Sequence, residues 1–270
     1  MNSIKLYLII AILVFSNFIL AQDSLAVYKS IDLDQPVSFF EIDQIGNIYC
    51  VNKNEIIKIN SAGDNIYRYS NMTFGAISEI DVNNSLRPLV FYKEQSKIIV
   101  LDNTLSVQDN SIINLDELQL YNTQTIANSN IDNGIWIYNI DLKQLVKVNT
   151  KMEIVQESGN LAILLNRAAL QPKKMIEKNG RLYMSTVKDG VLIFDLYCSY
   201  LQSIDIQDAT NFQVSEEFII AFNQGKTCVY NTIDHHELTH INPKKYLCLK
   251  KFKNTYIALT LNGKSLDFLR

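Results

Sequence analysis

Asp43-Gln44-Ile45-Gly46-Asn47-Ile48-Tyr49, followed after a short polar interval by Ile56-Ile57-Lys58-Ile59-Asn60, is the stretch that decides the architecture. Asp and Asn bond their own backbone in turns and Gly adopts positive φ without strain, so the first half reads as a turn opening into a strand. The second half is a β-branched apolar run closed by Asn, the pattern of a strand entering another turn. The same order returns as Asp132-Asn133-Gly134-Ile135-Trp136-Ile137 leading to Leu145-Val146-Lys147-Val148-Asn149. It returns again as Lys178-Asn179-Gly180-Arg181-Leu182-Tyr183 leading to Val191-Leu192-Ile193-Phe194-Asp195. Weaker copies fill the gaps: Leu89 to Tyr92 with Ile98 to Asp102, Phe218 to Ala221 with Cys228 to Asn231, and Tyr256 to Leu259 with Leu266 to Phe268. All but the last close on Asn or Asp, at positions 60, 102, 149, 195 and 231.

A recurrence of about 36 to 47 residues, each unit holding two apolar strands around a turn, is the signature of propeller blades. Each unit has room for an inner strand before the turn and an outer strand after the closing Asn or Asp. The first unit reads Phe39 to Asp43, Asn47 to Val51, Glu55 to Asn60 and Asn65 to Tyr69. One such sheet cannot bury both its faces, so the units must stack radially. The last unit ends at Arg270 with no outer strand, while Leu25 to Ile31 has no unit of its own. The expected fold is therefore all-β: a single β-propeller of about six four-stranded blades over residues 22–270, its ring closed by the N-terminal strand joining the last blade.

The Asp-x-x-Gly-Asn-Ile-Tyr stretch at 43–49, with the following Ile-x-Lys-Ile-Asn at 56–60, resembles blades of the NHL and TolB-like six-bladed propellers. Gly190-Val191-Leu192-Ile193-Phe194-Asp195-Leu196-Tyr197 is similar to blades of functionally unassigned exported propellers of bacterial envelopes. The resemblance spans nearly all of residues 22–270 as a pattern. It implies a fold and not an activity, because propellers host enzymes, receptors and scaffolds alike.

Lys5 followed by the apolar run Leu6 to Leu20, interrupted at Ser16 and Asn17 and ending in Ala21-Gln22, reads as a secretory signal over residues 1–21. The run is short for a membrane span and no later segment is apolar enough to be one, so no transmembrane segment is expected after cleavage. The formal net charge is -3 with both signs interspersed, which argues against a nucleic-acid partner. Cys50, Cys198, Cys228 and Cys248 lie far apart inside apolar runs and read as small buried hydrophobes, with a Cys228–Cys248 bond as the alternative in an oxidising compartment.

Several motifs bear on chemistry. His236-Glu237-Leu238-Thr239-His240 satisfies H-E-x-x-H, but a zinc site of that kind needs a helix, and the surrounding residues read as strand and turn. Glu41, Asp43, Glu79 and Asp81 fall where inner strands face a channel, the position at which lactonase-like propellers hold a divalent cation. Asp43 and Asp132 are equally explained as turn residues. Lys244, Lys245, Lys250, Lys251 and Lys253 read as solvated turn charge, and Trp136 as blade packing. No phosphate loop, dinucleotide fingerprint or nucleophile elbow is present, and no cofactor is expected.

Two connections between blades are unusually apolar, Leu115 to Tyr121 and Leu161 to Leu170. They either fold down as core or stay exposed as a docking patch. The candidate partner-binding residues are Tyr121, Leu161, Ile163, Leu164, Leu165 and Leu170. The sequence thus predicts a noncatalytic, periplasmic or secreted binding module whose partner is another envelope protein. A metal-dependent hydrolase or lactonase with a central-channel site is the alternative.

Overall fold

The computed structural model describes residues 25–167, 170–206, 209, 211–223, 226–241 and 246–270. The expected signal segment, Lys244 and Lys245 lie outside them. Six four-stranded antiparallel sheets follow one another around a ring, the architecture of a six-bladed β-propeller. A strand from the N-terminal end comes first in the chain, β1 (Val27–Asp32). Blade I comprises β2 (Phe39–Ile42), β3 (Ile48–Asn52), β4 (Glu55–Ile59) and β5 (Asn65–Ser70). Blade II comprises β6 (Glu79–Asp81), β7 (Leu89–Tyr92), β8 (Lys97–Leu101) and β9 (Val107–Asn114). Blade III comprises β10 (Thr123–Asn128), β11 (Ile135–Asn139), β12 (Gln144–Val148) and β13 (Ile154–Glu157). Blade IV comprises β14 (Pro172–Lys178), β15 (Arg181–Thr186), β16 (Val191–Phe194) and β17 (Tyr200–Ile204). Blade V comprises β18 (Asn211–Val214), β19 (Phe218–Asn223), β20 (Lys226–Asn231) and β21 (Glu237–Ile241). Blade VI comprises β22 (Tyr246–Phe252), β23 (Thr255–Thr260) and β24 (Ser265–Leu269), with β1 as its fourth strand.

The middle strands carry unbroken apolar runs because each is covered on both faces by neighbouring blades. Every residue of β7, β11 and β16 is buried. Alternate residues join different neighbours: in β3, Tyr49 and Val51 pack with Val90 and Tyr92 of blade II, whereas Ile48 and Cys50 pack with Cys248 and Leu259 of blade VI. Outer strands have one covered face and an open edge, so β5, β13 and β17 are largely exposed.

The recurring Asn or Asp has a local cause. In each third-to-fourth-strand turn its side chain accepts backbone N–H groups two and four residues on: Asn60 from Ala62 and Asp64, Asp102 from Thr104 and Ser106, Asn149 from Lys151 and Glu153, Asp195 from Tyr197 and Ser199. Asn231 accepts instead from the N–H groups two and three residues on, those of Ile233 and Asp234. Three residues after the first four, the chain passes through positive φ, at Gly63, Leu105, Met152 and Cys198. Gly46 is required twice over, having φ +92 and leaving room for only 2.6 Å between a built Cβ and the Phe252 ring.

β1 pairs antiparallel with β24 from Val27↔Leu269 to Asp32↔Ser265, with one bulge between Val27 and Lys29. The strand begins at Val27 rather than at Leu25, whose side chain instead packs against the blade V and blade VI cores. The segment also reaches blade I: the Lys29 ammonium donates to the carbonyls of Ser61 and Ala62 at 2.9 and 3.0 Å, and Ile31 packs in the blade I/VI core. Cys50, Cys198 and Cys248 are buried free thiols, and it is Cys50 that shares a core with Cys248. Burial pushes both thiols up to about 12.

Candidate functional site

The six inner strands, β2, β6, β10, β14, β18 and β22, surround a central channel. Extended backbone points successive side chains to opposite sides, so a residue flanked by core neighbours on an inner strand is delivered to the axis. Two cavities open there. One, of about 380 Å³, lies toward the turns that leave the inner strands; the other, of about 350 Å³, lies toward the connections that enter them. Glu41, Ile80 and Lys174 line both and form the waist between them.

At that waist a polar network takes a group from every blade. Glu41 of β2 accepts hydrogen bonds from the ammonium groups of Lys174 (β14) and Lys250 (β22), the latter at 3.0 Å. Lys250 also donates to the Phe212 carbonyl of β18 at 3.3 Å. Glu79 of β6 accepts from the Thr125 hydroxyl of β10 at 2.8 Å and from the Ile126 N–H at 3.3 Å. Asp81 accepts the N–H groups of Asn83 and Asn128, both at 2.8 Å.

The electrostatics follow from burial and partners. Burial raises the Glu41 carboxyl, but the two ammonium groups outweigh it and hold the group below the usual carboxylate range. Glu79 lacks a directly bonded cation, and burial pushes it up to about 8 against the more distant Lys174 charge and the Thr125 bond. Its neutral form is thereby favoured near pH 7. Burial also raises Asp81. Lys250 is lowered by burial, whereas the surrounding carboxylates hold Lys174 above its ordinary value despite burial.

The four carboxylates expected near the channel do not converge on one point. Glu41 is engaged by two lysines, Glu79 by Thr125, and Asp81 by backbone N–H groups. Asp43 caps its own turn, accepting from the N–H groups of Ile45 and Asn47 and from the Tyr49 hydroxyl. Asp132 likewise accepts the Gly134 N–H and pairs with Lys147 at 2.8 Å. Among the described residues no three His, Cys, Asp or Glu side chains are grouped so as to hold a metal ion. In the H-E-x-x-H stretch, Glu237–Ile241 is β21, paired with β20. A zinc site of that kind needs a helix to bring histidines four apart to one metal, and this stretch forms a strand instead.

Lys250 corrects the sequence reading of the basic stretch as solvated charge. It is 2% exposed because β22 is an inner strand, extends through Phe252 and turns this position to the axis. Lys251 faces the other way, over the rings of Phe218 and Tyr256. Trp136 is fully buried, its indole N–H donating to Glu177 at 2.6 Å, in keeping with blade packing.

The residues expected to meet a partner divide. Leu161 is 1% exposed, in the core between blades III and IV, and Leu165 and Leu170 pack against that core. Leu161 is thus not presented to a partner. Asn160 caps the single helical turn Leu161–Leu164 by accepting the Ile163 N–H, and this turn drives Leu161 inward while Ile163 and Leu164 stay 77% and 64% exposed. Tyr121 is 57% exposed. Ile140 and Leu142, in the β11–β12 turn and overlooked in the sequence, are exposed between them. Backbone bonds join the three segments: Ile140 N–H to the Asn122 carbonyl and Leu161 N–H to the Lys143 carbonyl, both at 2.9 Å. The Asn160 amide adds a bond to the Leu142 carbonyl at 3.3 Å. The result is an apolar ridge on the face where chain enters the inner strands.

No family model matches the sequence, and no curated protein matches it. Solved structures share its fold. The Neurospora crassa Pan2 WD40 domain aligns with a TM-score of 0.60 at 10% identity over 89% of this chain and 80% of that one. A catalytically inactive Staphylococcus aureus virginiamycin B lyase with quinupristin aligns with a TM-score of 0.59 at 12% identity over 93% and 96% of the two chains. PorZ of Porphyromonas gingivalis, an essential bacterial surface component of the type-IX secretion system, aligns with a TM-score of 0.51 at 9% identity over 90% of this chain and 38% of that one. At such identities the likeness establishes the propeller fold alone.

Proposed function

We propose that the protein is an exported, noncatalytic β-propeller, periplasmic or secreted, that holds another envelope protein against the ridge of blades III and IV. The observation that carries this reading is the run of exposed apolar side chains from Tyr121 through Ile140 and Leu142 to Ile163 and Leu164. A contiguous apolar patch on a soluble propeller costs solubility, and such patches mark interaction sites. The export part rests on the basic, apolar and small-residue order of residues 1–21. The engagement of Glu41, Glu79 and Asp81 by protein groups speaks against the alternative, a hydrolase using channel carboxylates to hold a metal.

Ile163→Glu with Leu164→Glu tests the reading. Both side chains are exposed, so the melting temperature should stay within roughly 2 °C of the parent. Binding of the partner that co-purifies with the parent protein should fall by roughly tenfold or more, because buried charge replaces apolar anchors. Full retention of that partner, or a collapse of the fold, contradicts the proposal.

A further inference from the structure

The cavity on the face that also bears the apolar ridge has an unbalanced charge. Four lysines line it: Lys174 and Lys250 at the floor, Lys93 and Lys173 at the mouth. Two carboxylates accompany them, Glu41 and Glu79. Burial raises the Glu79 carboxyl and lowers the Lys250 ammonium, and the lysines outnumber the carboxylates whichever form those two groups take. The cavity therefore sets four basic side chains against two acidic ones, inside a chain whose net charge is -3.

The donors are not exhausted. An ammonium group has three N–H donors; among the described residues Lys174 spends one on Glu41, and Lys250 spends two, on Glu41 and the Phe212 carbonyl. Lys93 is bonded to Gln124 at the mouth, and Lys173 is exposed there. The walls include Phe39, Ile80 and Phe91, whose apolar surface strengthens the field of the lysines and accommodates carbon. A volume of about 350 Å³ is that of a metabolite site, too confined for a polymer backbone.

We propose that this cavity binds a small oxyanion ligand, an organic carboxylate or a phosphate ester, with Lys174 at its floor and Lys93 and Lys173 closing on it from the mouth. The site is independent of the protein-docking ridge and needs no metal.

Isothermal titration of the purified protein with citrate and with inorganic phosphate, at ionic strength balanced by sodium chloride, tests it. Saturable binding with one site per chain is expected for at least one of the two anions. Tighter binding of citrate identifies the carboxylate class, and tighter binding of phosphate the phosphate class. Lys93→Gln with Lys173→Gln changes only the mouth, and should weaken binding roughly tenfold or more while the melting temperature holds. Lys178→Gln, in the opposite cavity, should leave affinity unchanged. Absence of saturable heat with both anions overturns the proposal. So does equal affinity in the Lys93/Lys173 variant, or an equal loss in Lys178→Gln, either of which marks nonspecific surface binding.

Discussion

Deleting residues 23–34 lowers the melting temperature by more than about 10 °C and converts the protein to higher oligomers. The deletion removes every rung between β1 and β24 and uncovers the edge of β24. It also strips Leu25, Ile31 and Leu33 from the cores of blades V, VI and I. A buried aliphatic side chain contributes roughly 1.5–3 kcal/mol, so three partly buried ones account for several kcal/mol even before the pairing is considered. At roughly 2–4 °C per kcal/mol for a domain of this size, the shift is large. An unpaired edge next to a hydrophobic face is also a template for another chain. Calorimetry with light scattering measures both effects; a monomer melting at the parent temperature contradicts this role for β1.

Glu41→Gln is the second large effect, and it comes from a side chain that makes little apolar contact. The carboxylate is the counter-charge for both Lys174 and Lys250, and Lys250 is almost wholly buried. Removing one partner of a buried ion pair leaves an uncompensated charge and costs about 3–5 kcal/mol. Urea unfolding should show that loss at pH 7. Replacing Lys250 by Met in the same chain should recover part of it, since the less exposed stranded ammonium is then gone. A loss below about 1 kcal/mol in Glu41→Gln would mean that water in the channel already screens the lysines.

What the sequence made legible is what local chemistry decides. The closing Asn or Asp at 60, 102, 149, 195 and 231 builds its turn from backbone groups within four residues, so its recurrence reads directly as a blade boundary. Blade VI has no such residue because no turn joins its third strand, β24, to its fourth, β1, which comes from the other end of the described residues. Middle strands covered on both faces read as apolar runs. The channel network was not legible, because its partners are set by ring geometry: Lys174 and Lys250 lie 133 and 209 residues from Glu41. A lysine amid Leu249, Lys251 and Phe252 looks like turn charge until its strand is known to be innermost. The ridge was half legible. Apolar density marked the 161–170 connection, but which side chains it buries depends on the Asn160 cap and the helical turn that follows.

Site-specific photo-crosslinking in cells of the native host tests the central claim most directly. A photoreactive residue at Ile163 sits on the ridge; one at Ile45, 71% exposed in the β2–β3 turn on the opposite face, is a control of equal size and polarity. The account predicts one dominant protein adduct at position 163, recovered from the envelope fraction, and none at position 45. No adduct at 163, or the same adducts at both positions, would contradict it.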